Sequence, residues 1–400
     1  MRGADVAKTT IPVLDDIDLA ELERDPYPVY ARLRREAPIA YVPAIDEWLV
    51  TRWDDCTAIA ERTDAFQGGH PIDDVFFGPY NILRMEGEVH KSMRAGIDVR
   101  LKPRVVKSYL DPMARPIVID YVERIREARK GDLATDLFEK ISVRVVGNAL
   151  GLGEMDDETL VRWFHVLGGG RANETGDPEA DRRSAEAVAE IDAFLTDKVA
   201  RYRDEPDDSV ISHMVHGGAT NGPRTYEEIS PSINVIILGG FQEPGNAVSN
   251  SFHGLMEDPE QLRALQEDPA GLAVAAVQEG LRWIAPIGQV SRTLLKDVEH
   301  DGAVIPTGAK LALLVASANR DESRFPNPEA FDLFRPFLPN ATFGYGHHFC
   351  AGHHLARALA QITVEETARR LPGLRRDPDG QAEVRGYLFR GVKSLPALWD

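Results

Sequence analysis

Phe343-Gly-Tyr-Gly-His-His-Phe-Cys-Ala-Gly-His-His-Leu-Ala-Arg357 sets Cys350 among the glycines at 344, 346 and 352, directly ahead of a helix expected from about Ala351. The chain has only one other cysteine, Cys56. Glycines let a loop pass close beneath a bulky planar group. The positive end of the following helix stabilises a thiolate. Backbone N–H groups can tune the donation of such a sulfur. A thiolate placed in this way suits axial ligation of haem iron, where its electron donation favours O–O cleavage. The competing reading is a small buried cysteine near a helix start.

The rest of the composition narrows the class. The chain has 400 residues, 43% hydrophobic and 28% charged, enough for a large core under an ordinary polar surface. Its net charge of −18 argues against nucleic acid or an anionic membrane as partner. Two cysteines build neither a disulfide framework nor a zinc site. The N-terminal stretch has no apolar core of a signal peptide, and no run approaches the ~20 apolar residues of a membrane span. A cytoplasmic protein is expected.

The periodicity predicts a mainly α fold with a smaller β region, as one domain over residues 1–400. Asp25-Pro-Tyr-Pro28 opens a short helix, and the apolar runs at 39–43 and 47–51 read as a hairpin. Residues 66–84 and 163–181, rich in glycine and turn formers, read as loops. Residues 90–265 otherwise read as mostly helical. The unusually apolar 226–256 reads as a helix crossing the core. Strands are expected in QVSRTL, GAVIPTG and KLALLVAS after Pro286, then a helix over 351–371 and strand-like pieces in the tail.

The cysteine loop resembles the haem signature of the cytochrome P450 family, F-G-x-G-x-H-x-C-x-G, at every fixed position from Phe343 and Gly344 through His348 and Cys350 to Gly352. Glu279-Gly-Leu-Arg282 is similar to the family's E-x-x-R, and Arg335 to the later arginine that completes a buried Glu–Arg–Arg cluster. The resemblance runs over nearly the whole chain and implies a P450 fold holding haem b on Cys350. His90 and Arg94, four apart on an expected helix, match the family's H-x-x-x-R for haem propionates. Arg292 and His348 match two more propionate contacts. The resemblance also implies a soluble, bacterial-type monooxygenase that uses O2 and a separate ferredoxin or flavin/iron–sulfur reductase. That partner is expected to dock on a basic face of His353, His354, Arg357, Arg94 and Arg104. Charge reversal at Arg357 should then change the electron-transfer rate and its salt dependence.

The long helix departs from the family. Where the family has [AG]-G-x-[DE]-T, this chain has Gly239-Gly240-Phe241-Gln242-Glu243-Pro244. A proline inside a helix costs ~3 kcal/mol or more and frees the carbonyl one turn back, here that of Gly240. Glu243 stands in place of the threonine, and an apolar surrounding should raise its pKa and keep it a proton donor. The Gln-Glu-Pro-Gly variant resembles a bacterial subgroup that O-demethylates guaiacol-like aromatics, as do residues 205–218 and the tail 386–395. That resemblance places Phe77 and Phe389 around a small ring; Val290 and Ile287, in the segment after the E-x-x-R helix that passes the haem in the P450 family, are further candidates for the substrate pocket. The third phenylalanine of its cage falls near Arg171, where none is present. The implied reaction is oxidative O-dealkylation of an aromatic or alkyl ether. The alternatives are hydroxylation of a terpene-like apolar compound, peroxide-driven oxidation, and a haem sensor without turnover. A cysteine hydrolase fits less well, because Cys350 would need a free base.

Overall fold

A computed structural model describes residues 12–173, 176–300 and 303–400; the N-terminal reading over residues 1–11 lies outside the described residues. The Asp-Pro-Tyr-Pro segment opens α1 (Tyr27–Glu36) with a proline in its first turn, where the missing N–H has no helical partner to lose. The hairpin forms as β1 (Ile39–Val42) against β2 (Glu47–Val50), antiparallel.

Residues 66–84 are more ordered than their composition suggests. Phe66 is buried and starts β3 (Phe66–Gly68). A short helix, α2 (Ile72–Phe76), follows, and Asp73 Oδ2 accepts the His70 N–H at 2.7 Å just before it. Next come α3 (Gly87–Leu101), α4 (Pro103–Arg126), α5 (Glu139–Leu150), α6 (Asp157–Arg171) and α7 (Pro178–Asp204).

The expected loop over 163–181 is largely helix instead. α6 runs through Gly168, Gly169 and Gly170 because Trp163, Phe164 and Leu167 bury one face of it. Glycine in a helix costs roughly 0.5–1 kcal/mol relative to alanine. Here it permits close packing: a Cβ on Gly170 would lie 2.5 Å from Ser184 Oγ and 2.8 Å from the Phe76 ring. The glycines mark crowding rather than a turn.

α8 (Tyr226–Glu257) crosses the core as its apolar middle predicts, with Ile233, Ile237, Phe241, Val248 and Phe252 buried. Its start is fixed by a capping box, with Thr225 N–H donating to Glu228 Oε2 at 2.7 Å. α9 (Pro269–Trp283) leads to β4 (Val290–Leu294) and β5 (Lys310–Leu313). The expected strand through KLALLVAS stops at Leu313. Val315–Ala318 coils into a helical turn, where Arg34 donates to Ser317 O at 3.3 Å and to its Oγ at 3.1 Å.

The main sheet has the order β1-β2-β5-β4-β3, parallel only between β2 and β5. α10 (His353–Arg370) and β6 (Gly391–Ser394) complete the site's frame. One apolar core lies among the helices and a second beneath the sheet. The wall of the main cavity draws on both, with Phe77 from the first and Val290 from the edge of the second.

Candidate active site

The cysteine loop is tied to the core through a polar chain. Glu279 and Arg282 pair at 2.6 and 2.8 Å, and Arg335 Nε donates to both Glu279 oxygens at 3.0 and 3.1 Å. Arg282 also donates to Asn319 O (3.1 Å), and Asn319 Oδ1 accepts the Ala341 N–H (2.7 Å). Thr342, beside the loop, donates to Leu281 O at 2.7 Å. Removing one partner of such a buried group costs ~3–5 kcal/mol, so the loop's anchor is stiff.

Within the loop, Cys350 N–H donates to Phe343 O at 2.9 Å. Gly344 and Gly346 have φ of 77° and 63°, a region strained for any Cβ. A Cβ on Gly352 would stand 3.9 Å from Cys350 Sγ. Burial pushes the Cys350 thiol up, while the Gly352 N–H, Arg94 and Arg357 pull it down. The sulfur opens into a cavity of about 360 Å³.

His90, Arg94, Arg292 and His348 line that cavity too. His90 is 4% exposed and its Nε2 has no hydrogen-bond partner. Burial, helped by the positive neighbours His348 and Arg94, pushes its pKa down to about 4. Arg292 is 5% exposed and donates to Ser291 O at 2.9 Å. Arg94 is braced by Asp98 (2.9 Å) and reaches Phe349 O (3.0 Å). His348 Nε2 meets Glu86 Oε1 at 3.0 Å. Burial favours the neutral form of Glu86, but hydrogen bonds from His348 and the Gly68 N–H outweigh it and hold the pKa at about 2. Gly68 faces Arg292 in the β3–β4 register, and a Cβ there would lie 2.4 Å from His348 Nε2. Buried bases gathered with an unpartnered nitrogen call for anions. A thiol, four basic side chains and a glycine-lined floor fit haem b with its two propionates.

The opposite wall is α8. Gly239, Gly240, Glu243 and Pro244 line the cavity. Both Glu243 carboxyl oxygens are buried without a hydrogen-bond partner. Burial raises its pKa to about 8, against the pull of Lys393 on β6. Gln242, expected to share in catalysis, does not line the cavity. One residue earlier on a helix points ~100° away, and its unpartnered Oε1 lies on the side of Gly168. Pro244 does not break the helix. Ser142 Oγ, from α5, donates to Phe241 O at 2.6 Å, one residue beyond the Gly240 carbonyl expected to be free. Gly240 also lets α8 approach α5, since a Cβ there would lie 3.3 Å from Val146.

Phe77, Phe389, Val290 and Ile287 all stand on the cavity wall. Ile287 bridges Phe389, and Gly288 N–H donates to Leu388 O at 2.8 Å, which fixes the tail against this segment. The basic docking face is narrower than the sequence suggests. Arg94 turns inward to the cavity, and Arg357 lies over the Phe343 ring at 4.3 Å with its Nε buried. Charge reversal at Arg357 would therefore disturb the cysteine loop itself. Arg104 is exposed, and His353 and His354 are half-buried.

A polar pair that the sequence does not signal also stands on the wall. Asp73 and Arg171 line the cavity and pair at 2.8 Å. They lie 98 residues apart, so no local spacing signals them.

Cavity, thiol and basic floor define a haem-thiolate protein. The family profile described as "Cytochrome P450" matches residues 271–370. The chain is 30% identical over 403 residues to cytochrome P450 monooxygenase PikC of Streptomyces venezuelae, covering 97% of this chain and 94% of that protein. It is 28% identical over 396 residues to a methyl-branched lipid omega-hydroxylase of Mycobacterium tuberculosis, covering 93% and 90%. A solved structure of P450BioI with a fatty-acyl-ligated acyl carrier protein superimposes with a TM-score of 0.86 at 27% identity, over 96% of this chain and 100% of that one. This chain belongs to the cytochrome P450 family. Members bind haem b through a cysteine thiolate, and the protein is a monooxygenase of that family. Among the described residues no helix is long and apolar enough to cross a membrane.

Proposed function

We propose that this monooxygenase oxidises the carbon next to an ether oxygen and so O-dealkylates an aromatic or alkyl ether. The balance is R–O–CH3 + O2 + 2 electrons + 2 H+ → R–OH + CH2O + H2O. The hydroxylated carbon forms a hemiacetal, whose C–O bond to the ether oxygen breaks as the aldehyde forms. The electrons come from a separate ferredoxin or flavin/iron–sulfur reductase. Haem, when bound, supplies the iron at which dioxygen is reduced and cleaved. Cys350 is its proposed thiolate ligand. His90, Arg94, Arg292 and His348 are proposed to hold the propionates, with Phe343, Gly344 and Gly352 shaping the loop beneath.

The observation that carries the reading is the wall facing Cys350. There an unpartnered Glu243, its pKa raised to about 8 by burial, meets an apolar surface that includes Phe77 and Phe389. Glu243 holds its proton at neutral pH and can release it into the cavity. Gly240 and Pro244 shape that stretch of wall. Phe77, Phe389, Ile287 and Val290 exclude water and hold an apolar or aromatic group. The likeness of Gln-Glu-Pro-Gly to the aromatic O-demethylases supports the ether as substrate. The relatives' names favour a second reading, hydroxylation of a larger apolar compound: they include a 6-deoxyerythronolide B hydroxylase and a C-19 steroid 1alpha-hydroxylase.

An optical titration of ferric holoprotein separates the two. Guaiacol, larger methoxyaromatics, branched alkyl ethers and a monoterpene would be compared. The ether reading expects a saturating high-spin shift with one ether class, followed by aldehyde release under turnover. A shift with the monoterpene alone would remove the ether and leave hydroxylation.

A further inference from the structure

Arg171 is the last residue of α6 and Asp73 sits in α2. Arg171 Nε donates to Asp73 Oδ1 at 2.8 Å, and the side chains are 10% and 3% exposed. Asp73 Oδ2 accepts the His70 N–H at 2.7 Å. Gly69, at φ 71°, makes room: a Cβ there would lie 2.9 Å from Asp73 Oδ2. Both carboxylate oxygens of Asp73 are therefore engaged, and both members of the pair line the cavity. Among the described residues, the two terminal nitrogens of Arg171 donate to no protein group. Phe77 lies one helical turn beyond Asp73, its N–H donating to Asp73 O at 3.0 Å. The polar pair thus stands ~5–6 Å along the same wall from the proposed aromatic contact. Gln289 adds a second polar group to the wall, and its buried Oε1 has no partner.

We propose that Arg171, positioned by Asp73, is a specificity-determining subsite. It donates to an uncharged hydrogen-bond acceptor, such as a carbonyl oxygen, on the substrate end remote from the oxidised carbon. This rests on the cavity being the substrate site of the monooxygenase. A free guanidinium in an apolar cavity would call for an anion. Here Asp73 already neutralises it, and Asp74 and Glu47 face this region with Arg84 and Lys310 as further cations and His70 kept neutral by burial. A substrate carboxylate would meet Asp73 at close range and be repelled. A neutral oxygen takes the free N–H groups without that penalty. The substrate class is therefore an amphiphile with its apolar or aromatic body on Phe77 and Phe389 and a neutral oxygen at Arg171. Such a ligand uses a charge-assisted hydrogen bond, for which tenfold or more in affinity is ordinary.

The test uses matched ligands on ferric holoprotein, read by the spin-state shift. 4-Methoxyacetophenone is compared with 4-ethylanisole, and 4-ethylacetophenone with 1,4-diethylbenzene. In each pair the members differ in the carbonyl. The wild type is expected to bind each ketone about tenfold more tightly. Arg171→Leu alone leaves Asp73 buried and unpaired, so the double variant Arg171→Leu/Asp73→Asn is used beside Arg171→Lys. The double variant is expected to bind both members of each pair equally while keeping its haem spectrum and its affinity for 1,4-diethylbenzene. Equal binding in the wild type, or a ketone preference that survives the double variant, overturns the subsite. Tightest binding of 4-methoxybenzoate would make it an anion site and also overturn the proposal. The ketone pair without an ether reads the subsite independently of dealkylation. Carbonyl preference without aldehyde release would sink the ether reading and leave the subsite standing.

Discussion

Cys350→Ser is expected to retain haem but lose monooxygenase turnover to background. Serine has nearly the same volume and keeps the loop's N–H contact to Phe343 O, which is a backbone bond. The four basic side chains on the cavity floor are untouched. What disappears is the thiolate's electron donation, which favours O–O cleavage. The checks are haem content by pyridine haemochrome, the Soret band of the reduced carbon monoxide complex, and aldehyde formed per enzyme. Loss of the thiolate band with full haem occupancy and no product is the expected result. Wild-type turnover in the variant would mean that Cys350 is not the ligand.

Glu243→Gln is expected to cut product formation by about 10²-fold, the low end of what a positioned acid contributes. The two shapes are close, so haem and substrate binding should persist. Without the acid, electrons are expected to leave as hydrogen peroxide, so product per O2 consumed falls. The pH dependence carries the sign. The proton donor is the neutral carboxyl, and burial raises its pKa to about 8. Wild-type activity should therefore hold below pH 8 and decline as pH rises through it, with no such limb in the variant. Stability gives an independent reading. Between the ordinary carboxyl pKa of 4.5 and about 8, the folded chain keeps a proton that the unfolded chain releases. Wild-type stability should then fall as pH rises across that window, and Glu243→Gln should lessen the fall. An unchanged coupling ratio and pH profile in the variant would reduce Glu243 to a wall residue.

The parts legible in the sequence were those with short-range chemistry. The glycines around Cys350, the Glu279–Arg282 spacing and the apolar run of α8 each state a local requirement, and each stands in the fold where that requirement puts it. Residues 163–171 misled because glycine composition suggests a turn, while Trp163, Phe164 and Leu167 bury a helical face and the glycines admit Ser184 and Phe76. Gln242 was drawn toward the site by sharing a motif with Glu243, but one helical step turned it away. Arg357 was counted as a surface charge, and Arg94, already assigned to a propionate, was counted on the docking face as well, because a sequence does not show which arginines fold inward over a loop. The Arg171–Asp73 pair was invisible as a pair, since only the packing of α2 beside α6 joins them.

Turnover under 18O2 of the methoxyaromatic that gives the strongest spin shift, with a ferredoxin and reductase supplying electrons, tests the account most directly. The phenol and the aldehyde, trapped by rapid reduction to its alcohol, would be analysed by mass. Attack on the carbon beside the ether oxygen puts the label in the aldehyde-derived alcohol and leaves the phenol oxygen unlabelled. A labelled hydroxyl on a product whose ether is intact would contradict the account and make the enzyme a hydroxylase.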